Sequence, residues 1–151
     1  MYYLLGAFAL FFGEERIKRW VETHFTLNEE KPVLKKHLIF TRHHNYGFVH
    51  NRRSEHRGQV LVVSLVGLFL VVGNGIYVFF SGLSHGLKAG MMLLMAGGLS
   101  NAYDRIKRHY VVDYFIINKG RLKKTIFNLA DILLFLGAVV CAAASLLEER
   151  K

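Results

Sequence analysis

The sequence predicts an all-α membrane protein, four transmembrane helices with a small β-sheet element at one membrane face. Three observations carry that prediction. The chain of 151 residues is 52% hydrophobic yet bears a net charge of +9, and with a mean hydropathy of +0.26 it does not describe a soluble globule. Apolar runs of bilayer length recur along it. Most lysines and arginines fall between those runs or at their ends, so charge and apolar residues are segregated within what is expected to be a single integral membrane domain, 1–151.

The first span covers about 2–20, where 19 helical residues rise about 28 Å, roughly one hydrocarbon core. It leads into Glu14, Arg16, Lys18 and Arg19 and not into a small-residue cleavage site, so it reads as a retained helix. Glu14 and Lys18 stand four apart on one face of it. They fit an ion pair closing the helix at the interface and equally a part in a polar site deeper in the bundle.

Residues 21–57 form a polar, basic and aromatic loop with the chain's one proline, Pro32, and it is too long for a simple turn. His37–Thr41 reads as a strand, Asn45-Tyr46-Gly47 as a turn and Phe48-Val49 as the start of a returning strand. His37, His43, His44, His50 and His56 crowd this region. Without a cysteine partner, an HExxH pattern or paired carboxylates they read as part of a solvated basic loop near lipid headgroups, and no metal site is expected.

The second span, about 59–81, is the cleanest apolar helix, and its Asn74 and glycines are expected to serve helix packing. A short connection follows, so the third helix, about 86–103, runs antiparallel to it. The fourth covers about 126–147. Cys141, alone in that run, forms no intramolecular disulfide and reads as a small packing residue.

Four consecutive spans fix which segments share a side. The end of the first helix, the 21–57 loop, the end of the third helix, the linker at 105–125 and the start of the fourth all meet at one membrane face. Glu14, Lys18, Asn45, Gly47, Asn101, Asp104, Arg105, Asp113, Asn128 and Asp131 therefore gather there. An aspartate at the centre of a membrane helix costs about 2.5–3.5 kcal/mol, so these acids call for a partner, a water cavity or a task. If Asp113 and Asp131 meet, desolvation and mutual repulsion leave one proton shared between two carboxylates, the working state of an aspartic protease. Spacing alone is equally consistent with a structural polar network.

G-G-L-S-N-A-Y-D-R at 97–105, V-V-D-Y at 111–114 and F-N-L-A-D at 127–131 resemble, in order and spacing, the signatures of the lipoprotein signal peptidases, type II, which are four-helix membrane aspartic proteases. The resemblance covers essentially the whole chain. It implies that Asp113 and Asp131 are the catalytic pair, that Asn101, Arg105 and Asn128 support it, and that Asp104 is the non-catalytic aspartate of the N-x-x-D-R stretch. Asn45 and Gly47 match part of a groove-lining pattern, and Lys18 with Glu14 matches part of one near the end of the first helix. The implied reaction removes the signal peptide of a prolipoprotein just before its diacylglyceryl-modified cysteine, with neither metal nor nucleotide cofactor. The implied partners are lipid-modified prolipoproteins and membrane lipids, and a monomer is expected.

Two departures stand out. Glu14-Glu15-Arg16-Ile17-Lys18 replaces the family's usual Asp-Gln-x-x-Lys, and Asn45-Tyr46-Gly47-Phe48-Val49-His50 lacks its two alanines, so bulkier side chains reshape the groove. Ten of the lysines and arginines lie from Arg16 to Arg57 and seven from Arg105 to Lys124, against Lys88, Arg150 and Lys151 opposite. Charge bias would put the seventeen in the cytoplasm. The resemblance puts them outside, with the β-sheet element and the active site at the outer face of a bacterial inner membrane crossed several times. A non-cleaving paralogue that binds lipoprotein precursors or a partner helix is the alternative reading, disfavoured by two costly buried acids. An ion pathway is disfavoured by the apolar second span, and nucleic-acid binding by the absence of a recognition motif.

Overall fold

The computed structural model describes residues 2–34, 37–48, 52–120, 122 and 125–148. Helix α1 covers Tyr2–His24, α2 Arg57–Phe80, α3 His85–Lys107 and α4 Leu129–Glu148. Strands β1 (Glu30–Val33), β2 (Leu38–Asn45), β3 (Val111–Ile117) and β4 (Ile126–Phe127) form one antiparallel sheet in that order. A 3-10 turn at Ser54–His56 leads into α2.

Among the described residues, two segments, Ser54–Phe80 and Leu129–Glu148, are long and apolar enough to cross a membrane. Their side chains are largely unburied: Val63, Phe69, Tyr77 and Phe80 on α2 and Phe135 and Leu147 on α4 face outward. α1 and α3 carry more charge. α3 packs against the other three helices and is closest to α4.

Glycine makes that closeness possible. A Cβ at Gly97 would stand 2.5 Å from the Ala130 carbonyl oxygen, and one at Gly137 would stand 2.8 Å from the Leu94 nitrogen. Backbone meets backbone along this seam. On α2 it is Gly75, against Met95, that makes the close contact, whereas Asn74 is exposed and donates to its own helix at Leu70 O, contrary to the packing role expected of it. The core within the helices joins Ala7, Val78, Phe79, Met91, Met95, Ala96 and Leu133. A second core lies under the sheet, where Val21, Val112 and Tyr114 pack with Phe40 and Leu129.

The sheet corrects the expected hairpin. β2 runs on through Asn45, Phe48 lies in a bend, and Val49 and His50 fall outside the described residues. The partners of β2 are β1 and β3, and β3 comes from the segment read as a linker. The apolar Val111–Ile117 run is buried at five of its seven positions, which repays sheet pairing better than a short return from Phe48 would.

Two further details position the site. Pairing of β2 with β3 shifts register between Phe40 and His43, a bulge that adds one residue to β2. Because strand side chains alternate faces, that residue moves Asn45 onto the face of the sheet that Asp113 occupies. The second detail is the start of α4. β4 takes Ile126 and Phe127, so α4 begins at Leu129 and Asp131 sits in its first turn rather than about 8 Å down the helix as a start at 126 would have it.

Candidate active site

Asp113 is 3% exposed on β3. Its Oδ1 accepts from Asn128 Nδ2 at 2.7 Å and its Oδ2 from Asn45 Nδ2 at 3.0 Å. Asp131 accepts from Asn101 Nδ2 at 2.9 Å and from the Asn128 backbone N–H at 3.2 Å. Asn128 Oδ1 in turn accepts from Asp131 N at 2.9 Å, so residues 128 and 131 form a reciprocal cap at the head of α4. Three asparagines thus hold two carboxylates, and Asn128 touches both.

Both acids line one cavity of about 510 Å³, with Asn45, Asn101 and Arg105 beside them. Its other walls are mostly apolar: Phe48, Leu68 and Val71 toward α2, and Val111, Phe127 and Leu134 opposite. Burial, and after it the charge of Asp131, pushes the Asp113 carboxyl up from the ordinary 3.8 to about 7.

Arg105 reaches Asn101 O at 3.2 Å and Gly47 O at 3.0 Å, tying the loop after β2 to α3. Gly47 N donates to Asn45 Oδ1 at 3.0 Å, which orients the Asn45 amide toward Asp113. Glu14, Lys18 and Asp104 do not line the cavity. They form a buried layer behind it, each 0% exposed. Lys18 Nζ lies 2.9 Å from Asp104 Oδ2 and donates to Ser100 Oγ at 2.8 Å and Asn101 Oδ1 at 3.3 Å. That last bond leaves the Asn101 NH₂ to face Asp131. Asp104 also accepts from Val112 N at 3.1 Å and pairs with Arg108, so it anchors β3 one residue before Asp113. Glu14 and Lys18 stand 3.9 Å apart within this buried layer.

Several members of this layer carried no functional expectation. Ser100 donates to Glu15 at 3.0 Å, Arg108 donates to the other Glu15 oxygen at 3.0 Å, and Tyr114 reaches Glu14. Ser100 lies four before Asp104 on one helical face, the single spacing that could have drawn it in. Among the described histidines, His43 pairs with Asn28 and His44 with Glu22, stacked on Tyr110 at 3.8 Å.

Comparison with known proteins places the whole chain. The lipoprotein signal peptidase of Clostridium novyi (strain NT) is 30% identical over 139 residues, covering 88% of this chain and 89% of that one. The lipoprotein signal peptidase of Streptococcus agalactiae serotype Ia (strain A909) is 31% identical over 134 residues, 87% of this chain and 82% of its own. Two solved structures described as bacterial membrane enzymes share the fold, with TM-scores of 0.84 and 0.80. They cover 97% and 95% of this chain and 88% and 92% of their own, at 24% and 23% identity. The family described as signal peptidase (SPase) II matches residues 7–147, and with a match of that extent the chain belongs to the signal peptidase II family.

Proposed function

We infer that this protein is a prolipoprotein signal peptidase of the aspartic type, cutting before a diacylglyceryl-modified cysteine. The observation that carries the reading is the pair of acids, Asp113 and Asp131, opening on one cavity under three asparagine donors. With one proton between them, the ionised member takes a proton from water, and the hydroxide adds to the scissile carbonyl carbon. The protonated member hydrogen-bonds the carbonyl oxygen and stabilises the oxyanion. Collapse of the tetrahedral intermediate breaks the C–N bond, and the departing amine takes up the proton.

In this reading α1 and α3 span the bilayer together with α2 and α4, all within one domain. Both termini are cytoplasmic, and the site opens at the outer face of the inner membrane. There the cavity's apolar walls suit a signal peptide that arrives from the lipid, and Asn45 and Gly47 flank the bond to be cut. Asn101, Arg105 and Asn128 hold the pair, with Lys18, Glu14 and Asp104 behind. The protein acts as a monomer on lipid-modified precursors among membrane lipids.

Purified protein in detergent, given a diacylglyceryl-modified precursor, is expected to release the signal peptide. Asp113→Asn and Asp131→Asn are expected to insert normally and release none. Turnover retained in either variant removes that residue from the catalytic role, and binding without release by the unaltered chain favours a non-cleaving paralogue.

A further inference from the structure

We propose that Tyr114 is a positioning residue for the carboxylate pair, its hydroxyl clamping the first turn of α4 through Glu14 so that Asp131 stays opposite Asp113. This rests on the aspartic reading given above.

Successive strand residues point to opposite faces, so while Asp113 faces the cavity Tyr114 points behind it, where it is 4% exposed. Its hydroxyl donates to Glu14 Oε2 at 2.7 Å and accepts from Leu129 N at 3.0 Å. The other Glu14 oxygen accepts from Ala130 N at 3.3 Å. Together with the Asn128 bond to Asp131 N, the first three amides of α4 all go to side chains.

A helix start ordinarily needs one capping side chain of its own. Here the amides of Leu129 and Ala130 are held by a neighbouring strand and a distant helix, and Gly97 lets α3 close on Ala130 O from the other side. β3 therefore contributes two consecutive residues to one task. Asp113 is a member of the pair, and Tyr114 sets where the helix carrying the second member begins. Water activation between two acids depends on placement within about 0.5 Å, which a frayed first turn would not keep.

Tyr114→Phe preserves the ring, which packs beside Phe40 and Phe115, and removes only the hydroxyl. The expected result is a fall in kcat of roughly tenfold to a hundredfold with KM within about twofold. The bell-shaped pH dependence of kcat should also narrow, because two carboxylates that drift apart interact less and their apparent pKa values approach one another. A purely structural role would lower the yield of folded enzyme and leave the width of the bell unchanged. Glu14→Ala reaches the same clamp from α1 and should narrow the bell as well, while Glu14→Gln, which keeps an acceptor for Ala130 N, should restore part of the width. A wild-type bell and kcat in both Tyr114→Phe and Glu14→Ala would overturn the proposal while Asp113→Asn and Asp131→Asn remained dead. Turnover in those aspartate variants would instead overturn the aspartic reading, and this proposal with it.

Discussion

Asn128 and Asp131 cap one another at the head of α4, the side chain of each accepting the backbone N–H of the other at 2.9 and 3.2 Å. The same Asn128 spends its side-chain NH₂ on Asp113. One residue thus starts the helix and joins the two acids, and these roles can be separated. Asn128→Ala should lose both, costing about 1 kcal/mol of stability for the cap and roughly a hundredfold in kcat for the donor. Asn128→Asp keeps the cap's acceptor and loses the donor. It should melt near the unaltered protein and fail to cleave, and thermal melting in detergent beside a cleavage assay checks both.

Asp113 makes stability depend on pH in a definite direction. Its folded pKa lies near 7, above the ordinary 3.8, so the folded state holds the proton more tightly than the unfolded chain does. Its contribution is full below about pH 4 and is lost as pH rises through about 7. Asp113→Asn cannot titrate. Its melting temperature relative to the unaltered protein should therefore rise between about pH 5 and pH 8. An offset that stays constant across that range would mean that Asp113 titrates as an ordinary carboxylate.

Lys18 is fully buried among Glu14, Glu15 and Asp104. Lys18→Met leaves those acids without their central cation and should cost about 3–5 kcal/mol. Adding Asp104→Asn to it should restore part of the loss, because the second change removes a buried charge that the first left with Arg108 as its remaining cation. Melting of the two single variants and the double variant measures the coupling.

The α3–α4 seam predicts a contrast between two glycines. Gly97→Ala forces a Cβ toward the Ala130 carbonyl, a backbone atom that cannot swing aside, so it should lower both melting temperature and kcat by displacing the turn that carries Asp131. Gly73→Ala meets nothing within 4 Å and should leave activity unchanged. Equal effects from the two would mean that the helices are less closely set than described.

What the sequence made legible was whatever short-range pattern encodes. Long apolar runs marked all four helices, two of which, α2 and α4, are apolar enough to cross a membrane, and among the acids and amides of 97–131 Asn101, Asp113 and Asp131 meet at the cavity. Asn128-x-x-Asp131 already carries the pattern of a capping box, which would have moved the start of α4 from 126 to 129. The sheet was less legible, because Val111–Ile117 pairs with residues some seventy positions earlier and no local signal names that partner. The buried layer was hidden for the same reason. Glu15 and Arg108 look like surface charges until α1 and α3 pack side by side, and Tyr114 looks like one more apolar strand residue until its hydroxyl meets Glu14.

The extra residue in β2 makes counting matter more than chemistry between Phe40 and His43. Shortening that stretch by one would turn Asn45 to the far side of the sheet and strip Asp113 of a donor without altering a single side chain at the cavity. Anyone transplanting or trimming this segment must conserve its length before its composition, since an enzyme with every recognisable residue in place could be silenced by an error of arithmetic.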